Sequence, residues 1–253
     1  MWLRNKFVQR MGGGFFEQAG LDAWSKLQIA SLSARKPTGE VKLLRKVRRE
    51  RKCLNSAWEC YNVMTLARAM IKLPGAFAEV GCYQGTTAKL ICEVKGDKPL
   101  LLFDTFEGLP EDCDKDARVH RVGQYACSVE KVSGYLAGYE GVSYHKGLFP
   151  DSTDGVPEQQ YAFVHFDVDL YEGTLACLEY FYPRMTPGGV MLSHDYGMLK
   201  GVEQAFHDFM EDKPEPIIPQ ATTQVMIIKQ APVAAAGDPA ATDPAAQAAP
   251  VLR

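Results

Sequence analysis

The stretch "GAFAEVGCYQGTTAKLICEV", residues 75–94, reads as one repeating unit of an α/β protein. The short apolar run FAEV, bounded by Gly75 and Gly81, suits a buried strand. Gly81 and Gly85 then bracket a turn, and TTAKLICEV continues with the apolar spacing of a helix. A strand, a glycine turn and a helix N-terminus in this order let a ligand approach the backbone closely. The stretch departs from the G-x-G-x-x-G of dinucleotide-binding proteins, because Glu79 replaces the first glycine. A carboxylate there repels a pyrophosphate and suits a cationic ligand.

The same alternation extends in both directions. Upstream, "SAWECYNVMTLARAMIKL" (56–73) predicts a helix with Ser56 as N-cap and Pro74-Gly75 as its stop. Downstream, "PLLLFDTF" (99–106), "GVSYHKG" (141–147), "YAFVHFDVD" (161–169) and "GGVMLSHD" (188–195) predict strands. Helices are predicted in "SVEKVSGYLAGY" (128–139), "YEGTLACLEYFYPRM" (171–185) and "GVEQAFHDFMED" (201–212). "EPIIP" and "TTQVMIIKQ" read as a closing pair of strands. Such alternation predicts βαβ units, right-handed crossovers and a mostly parallel, Rossmann-like sheet with helices on both faces.

With 253 residues and 28.0 kDa, the chain has room for one medium α/β domain with additions. Residues 1–55 are charged and weakly patterned, with a Gly12-Gly13-Gly14 break, and read as short peripheral helices forming a lid or an oligomer contact. Residues 56–229 form the α/β domain, and the Ala/Pro-rich 230–253 tail is expected to be disordered. A net charge of −3 leaves no electrostatic footprint for nucleic acid, so a small-molecule partner is expected. No apolar run approaches the ~20 residues that span a bilayer. The N-terminus also lacks the apolar core of a signal peptide, so a cytoplasmic protein that does not enter membranes is expected. Seven scattered cysteines form no CxxC pair and read as reduced, mostly buried thiols.

Ligands of such sheets bind beyond the carboxyl ends of the strands, near the switch point of strand order. Those ends carry Glu79 and Gly81, Asp104, Lys146, Asp167 and Asp169, and His194 and Asp195. Asp104, at the end of the second strand, stands where an acid accepts bonds from ribose hydroxyls. Together with Glu79 it favours a positively charged adenosine compound without phosphates, which describes S-adenosylmethionine. Glu79, Gly81, Tyr83, Gly85, Thr86, Asp104, Thr105, Phe106 and Asp167 are the candidate cofactor contacts. Tyr83 or Phe106 would supply cation–π contact to a sulfonium. Glu79 as a paired core carboxylate and Asp104 as a cap are the structural alternatives.

Asp167 and Asp195 end the fourth and fifth strands, so neighbouring strands would bring both carboxylates into one crevice. Adjacent carboxylates raise one another's pKa unless a cation lies between them, and a hard divalent ion such as Mg²⁺ fits. Asp169, two residues after Asp167, suits a general base. His194 reads as a ligand, an orienting group or a packed ring, and His165 as a satisfied core histidine. Tyr196 lines the acceptor pocket or covers the core.

These segments, "FAEVGCYQGTTAKLI", "LLFDTFEGLPE", "HKGLFPDS" and "HFDVDLYEGTLACLEYFYPRMTPGGVMLSHDYG", resemble the macrocin O-methyltransferase (TylF-type) family over residues 56–229. The resemblance implies a seven-stranded class I methyltransferase fold. It also implies S-adenosylmethionine-dependent, metal-dependent methylation of a sugar hydroxyl on a natural product. It makes Asp167 and Asp195 metal ligands, Asp169 the base, Asp104 the ribose acid, and Glu79 and Gly81 part of the first cofactor motif. The family has two aspartates before the tyrosine where this chain has His194-Asp195, which changes the type of one metal-site residue. Two competing readings are a non-catalytic S-adenosylmethionine-binding scaffold, which has no need of Asp167, Asp169 and Asp195, and an iron oxygenase using "HFD". The second conflicts with the α/β alternation, since such facial triads sit on all-β scaffolds.

Overall fold

The computed structural model describes residues 15–117 and 119–232. Helix α1 is Phe15–Ser33, α2 Thr38–Glu50 and α3 Ala57–Ala69. Then β1 (Ala76–Val80), α4 (Thr86–Cys92), β2 (Leu100–Asp104), α5 (Val129–Tyr135) and β3 (Val142–Lys146) alternate. β4 (Tyr161–Phe166), α6 (Tyr171–Phe181), β5 (Met185–Ser193) and α7 (Lys200–Met210) continue the pattern, and β6 (Ile218–Pro219) and β7 (Val225–Ile228) close it. Among the described residues seven strands form one sheet in the order β3-β2-β1-β4-β5-β7-β6. β1 to β5 are mutually parallel, and β7 runs antiparallel to both β5 and β6. The strand order reverses between β1 and β4, which fixes the switch point there.

β1 and β4 are buried on both faces, as expected of apolar runs in a parallel sheet covered by helices. On one face Phe77 and Phe163 meet edge to face at 5.7 Å and pack with Leu90, Ile91 and Leu100. Burying a side chain of this size contributes about 1.5–3 kcal/mol. On the other face Val164, Phe166, Phe181 and Phe206 pack under α6 and α7. α3 begins with a capping box: Ser56 Oγ accepts from the Glu59 N–H at 3.4 Å, and Glu59 Oε2 accepts from the Ser56 N–H at 2.7 Å.

The N-terminal region differs from its expectation of short peripheral helices. α1 runs for 19 residues, and α2 buries Val41, Leu44 and Val47 in the same core cluster as α3 and α4. The cause in α2 is an apolar stripe, Val41, Leu44 and Val47, at helical spacing along an otherwise charged segment. The glycine break at 12–14 and the tail from 233 lie outside the described residues. No described helix is long and apolar enough to cross a membrane.

Candidate active site

A cavity of about 1510 Å³ opens at the carboxyl ends of β1, β2, β4 and β5. A single small-molecule site measures roughly 300–1,000 Å³, so this one has room for two ligands side by side. Its wall passes from Gly81, Tyr83, Thr86, Asp104 and Thr105 to Asp167, Asp169, His194 and Asp195.

At the switch point the ends of β1 and β4 pinch together, with the Asp167 N–H donating to Val80 O at 2.9 Å. Gly81 has φ +80°, and a Cβ there would lie 2.1 Å from the Asp167 carbonyl oxygen. Only glycine fits that crossing. Asp104 organises the neighbouring turn: Oδ2 accepts from the N–H groups of Cys82 (2.8 Å) and Tyr83 (3.1 Å), and Oδ1 from Phe106 (2.7 Å). Burial pushes the Asp104 carboxyl above its ordinary range, and these donors pull it back.

Three of the expected cofactor contacts do not line the cavity. Glu79 is fully buried, one residue short of the β1 end, and Oε1 pairs with His165 Nδ1 at 2.8 Å. Glu79 Oε2 and His165 Nε2 have no hydrogen-bond partner among the described residues. Of the readings open for Glu79, the paired core carboxylate matches this geometry, and Glu79 is also what compensates His165. Phe106, at φ +55°, turns into the core cluster beside α4 and α5, which leaves Tyr83 as the ring facing the cavity. Gly85 is the left-handed N-cap of α4, facing Val132 at 3.2 Å from a would-be Cβ. Tyr196 covers the core, edge to face with Phe206 at 5.6 Å.

The acidic end is built by the β4–β5 register, Phe166 against Ser193, which sets Asp167 beside His194. Ligand atoms of Asp167, His194 and Asp195 all lie within 4.8 Å of one another. Asn55 Nδ2 is 3.0 Å from both Asp167 Oδ2 and His194 Nε2. His194 Nε2 also lies 3.8 Å from Glu59 Oε2, and Nδ1 lies 3.8 Å from Asp195 Oδ1. Burial opposes charging His194, but Asp167, Glu59 and Asp195 outweigh it and hold the imidazole well above its ordinary value. Burial and the charges of Asp195 and Asp167 push Asp169 well above the carboxylate range. Burial also raises Asp167, while at Asp195 burial is outweighed by His194, Asp169 and His120 together, which lower it. Asp169 and Asp195 have positive φ, +60° and +59°, the left-handed region that aspartate enters more readily than most non-glycine residues.

Two carboxylate oxygens and one imidazole nitrogen, converging from adjacent strand ends, fit a divalent cation, which would take the place of the proton that the surrounding carboxylates otherwise keep on His194. The imidazole widens the choice beyond Mg²⁺ to metals that accept nitrogen.

Three residues of the site lay outside the sequence reading. Asn55 falls in the segment read as peripheral, and only its place next to an N-cap marked it. His120, on the loop between β2 and α5, lines the cavity with its ring edge-on to Tyr125 at 6.4 Å, and Tyr125 is edge-on to Tyr83 at 5.9 Å. Burial lowers the His120 pKa against the pull of Asp195, Asp112 and Asp116. Trp24 of α1, half exposed, lines the mouth with Trp58, their rings 6.3 Å apart.

Seven strands in this order, closed by an antiparallel pair and opening onto one cavity at the switch point, define a Rossmann-like class I methyltransferase fold. The family description macrocin-O-methyltransferase (TylF) matches residues 59–225, and the chain belongs to that family. It is 30% identical over 153 residues to 8-demethyl-8-(2,3-dimethoxy-alpha-L-rhamnosyl)-tetracenomycin-C 4'-O-methyltransferase of Streptomyces olivaceus, across 54% of this chain and 58% of that protein. It is 28% identical over 153 residues to demethyldecarbamoylnovobiocin O-methyltransferase of Streptomyces niveus, with the same 54% and 58% coverage. The match thus spans under two thirds of these relatives. The solved O-methyltransferase NovP shares the fold at TM-score 0.64 and 20% identity, covering 85% of this chain and 100% of that one.

Proposed function

We propose that the protein transfers a methyl group from S-adenosylmethionine to a hydroxyl on the sugar moiety of a natural product, with a divalent cation held by Asp167, Asp195 and His194. The observation that carries this reading is the convergence of those three side chains with Asp169, in the same cavity as Gly81 and Asp104. Gly81, Tyr83, Thr86, Asp104 and Thr105 would hold the cofactor, with Asp104 toward the ribose and the Tyr83 ring toward the sulfonium. A bound cation would neutralise the carboxylates and lower the pKa of an acceptor hydroxyl.

Asp169 is the proton acceptor for that hydroxyl once a bound cation offsets the charges of Asp167 and Asp195, which with burial otherwise keep it protonated. Bound S-adenosylmethionine would supply the methyl group, the acceptor oxygen gaining a bond to the methyl carbon as the carbon–sulfur bond breaks and S-adenosylhomocysteine leaves. Holding oxygen and methyl in line supplies up to roughly 7–11 kcal/mol in well-oriented reactions. Asn55 fixes Asp167 and His194, so both keep their orientation through turnover. The Trp24–Trp58 pair gives the acceptor an apolar surface at the mouth.

Incubation with methyl-labelled S-adenosylmethionine and a panel of glycosylated natural products tests the reading. Label is expected as a methyl ether on a sugar hydroxyl, and transfer confined to catechols would overturn the sugar assignment.

A further inference from the structure

Cys53 and Cys60 bracket the short segment that brings Asn55 to Asp167, and their sulfurs lie 3.6 Å apart. All seven cysteines are free thiols, and these two are buried, 1% and 0% exposed. Both thiols reach one acceptor, the Asn55 carbonyl oxygen, 3.4 Å from Cys53 Sγ and 3.9 Å from Cys60 Sγ. Arg48 donates to the same carbonyl and reaches Asp22 of α1 at 2.9 Å. The main-chain end of Asn55 is therefore held by two thiols and a guanidinium, while its amide holds Asp167 and His194.

We propose that Cys53 and Cys60 form a peroxide-responsive dithiol site, and that its oxidation to a disulfide withdraws both thiols from Asn55 and loosens the site around Asp167. Cys53, as the thiolate, attacks one oxygen of hydrogen peroxide, breaking the O–O bond and becoming a sulfenic acid as hydroxide leaves. Cys60 then attacks that sulfur and expels water. The hydroxide takes up the thiol proton, so two thiols and one peroxide give one disulfide and two waters.

The geometry favours this pair. A disulfide needs sulfurs about 2.05 Å apart, so these must approach by roughly 1.5 Å, a shift the extended segment before α3 can take up. Their burial excludes a bulky disulfide oxidant, which restricts the oxidant class to hydrogen peroxide. The neighbouring Cys60 thiol and Arg48 hold Cys53 below the ordinary thiol range against burial, and the same pairing with burial raises Cys60, which separates attacking from resolving roles.

The test treats the intact protein with hydrogen peroxide, quenches with an alkylating agent and digests with trypsin. Both cysteines fall in one peptide, residues 53–68. The expected product is that peptide unalkylated and lighter by two hydrogens, restored by dithiothreitol. Cys60→Ala should yield oxygen adducts on Cys53 instead. In hydrogen exchange, residues 53–60 and 167–170 of the oxidised protein should exchange several-fold faster. Full alkylation of both thiols after peroxide, or a disulfide that leaves exchange at 167–170 unchanged, would overturn the proposal. Neither readout depends on methyl transfer.

Discussion

The Asn55 side-chain amide stands 3.0 Å from the Asp167 carboxylate, across 112 positions of sequence. That contact makes the N-terminal helices part of the site. Arg48 of α2, bonded to Asp22 of α1, grips the Asn55 backbone, and the Asn55 side chain grips the residue that ends β4. Asn55→Ala should lower kcat by about 10–100-fold, the usual cost of removing a group that orients metal ligands. Steady-state kinetics check it, with circular dichroism to confirm an unchanged fold.

Asp169→Asn keeps the size of the side chain and removes its capacity to take a proton. Turnover should fall by about 10²–10⁴-fold, the span of a positioned general base. The affinity for S-adenosylmethionine should stay within about twofold, since Asp169 lies at the acidic end and not beside Tyr83 or Asp104. Calorimetry beside single-turnover kinetics separates the two quantities.

Gly81→Ala places a methyl group 2.1 Å from the Asp167 carbonyl oxygen at φ +80°. Strain alone costs about 1–3 kcal/mol, and the clash with backbone adds to it. Urea unfolding should show a loss of at least ~2 kcal/mol, together with weakened binding of both cofactor and cation, because the β1 and β4 ends must separate.

The candidate site is legible in the sequence where a strand simply ends. Gly81, Asp104, Asp167 and Asp195 each close an apolar run, and parallel pairing carries such ends to one edge of the sheet. Glu79 shares the face of Phe77, two residues away, so the period of a strand already aims it at the covering helices and not at the ligand edge. Phe106 was not legible in that way, because its positive φ turns the ring inward, and aromatic residues give no sequence signal for that conformation. Asn55, His120 and Trp24 reach the cavity only through tertiary packing, which no local spacing encodes. The polar residues of "HFDVD" (165–169) find partners from elsewhere in the chain: Glu79 for His165, and Asn55 and His194 for Asp167.

The closing strand pair carries its own pH dependence. Glu215 is buried and bonded to Tyr182, to Lys229 at 2.9 Å and to the Gln230 N–H at 3.0 Å. Burial works against its ionisation, but these partners outweigh burial and hold it at about 2. The folded pKa lies below the unfolded one, so the stabilisation is fully present above pH ~4.5 and is lost as pH falls toward 2. Glu215→Gln should cost roughly 2–3 kcal/mol at pH 7 and flatten the decline of stability between pH 5 and pH 2. Denaturant titrations of both proteins across that range measure the difference.

Isothermal titration of S-adenosylmethionine and of Mn²⁺ into the wild-type protein and into Asp167→Ala puts both halves of the site to the test at once. Wild type should bind the cofactor and one equivalent of cation, and Asp167→Ala should keep the cofactor while losing the cation by 10-fold or more. Absence of cofactor binding to wild type, or equal cation binding by the two proteins, would contradict a site that joins S-adenosylmethionine at Gly81 and Asp104 to a metal at Asp167, His194 and Asp195.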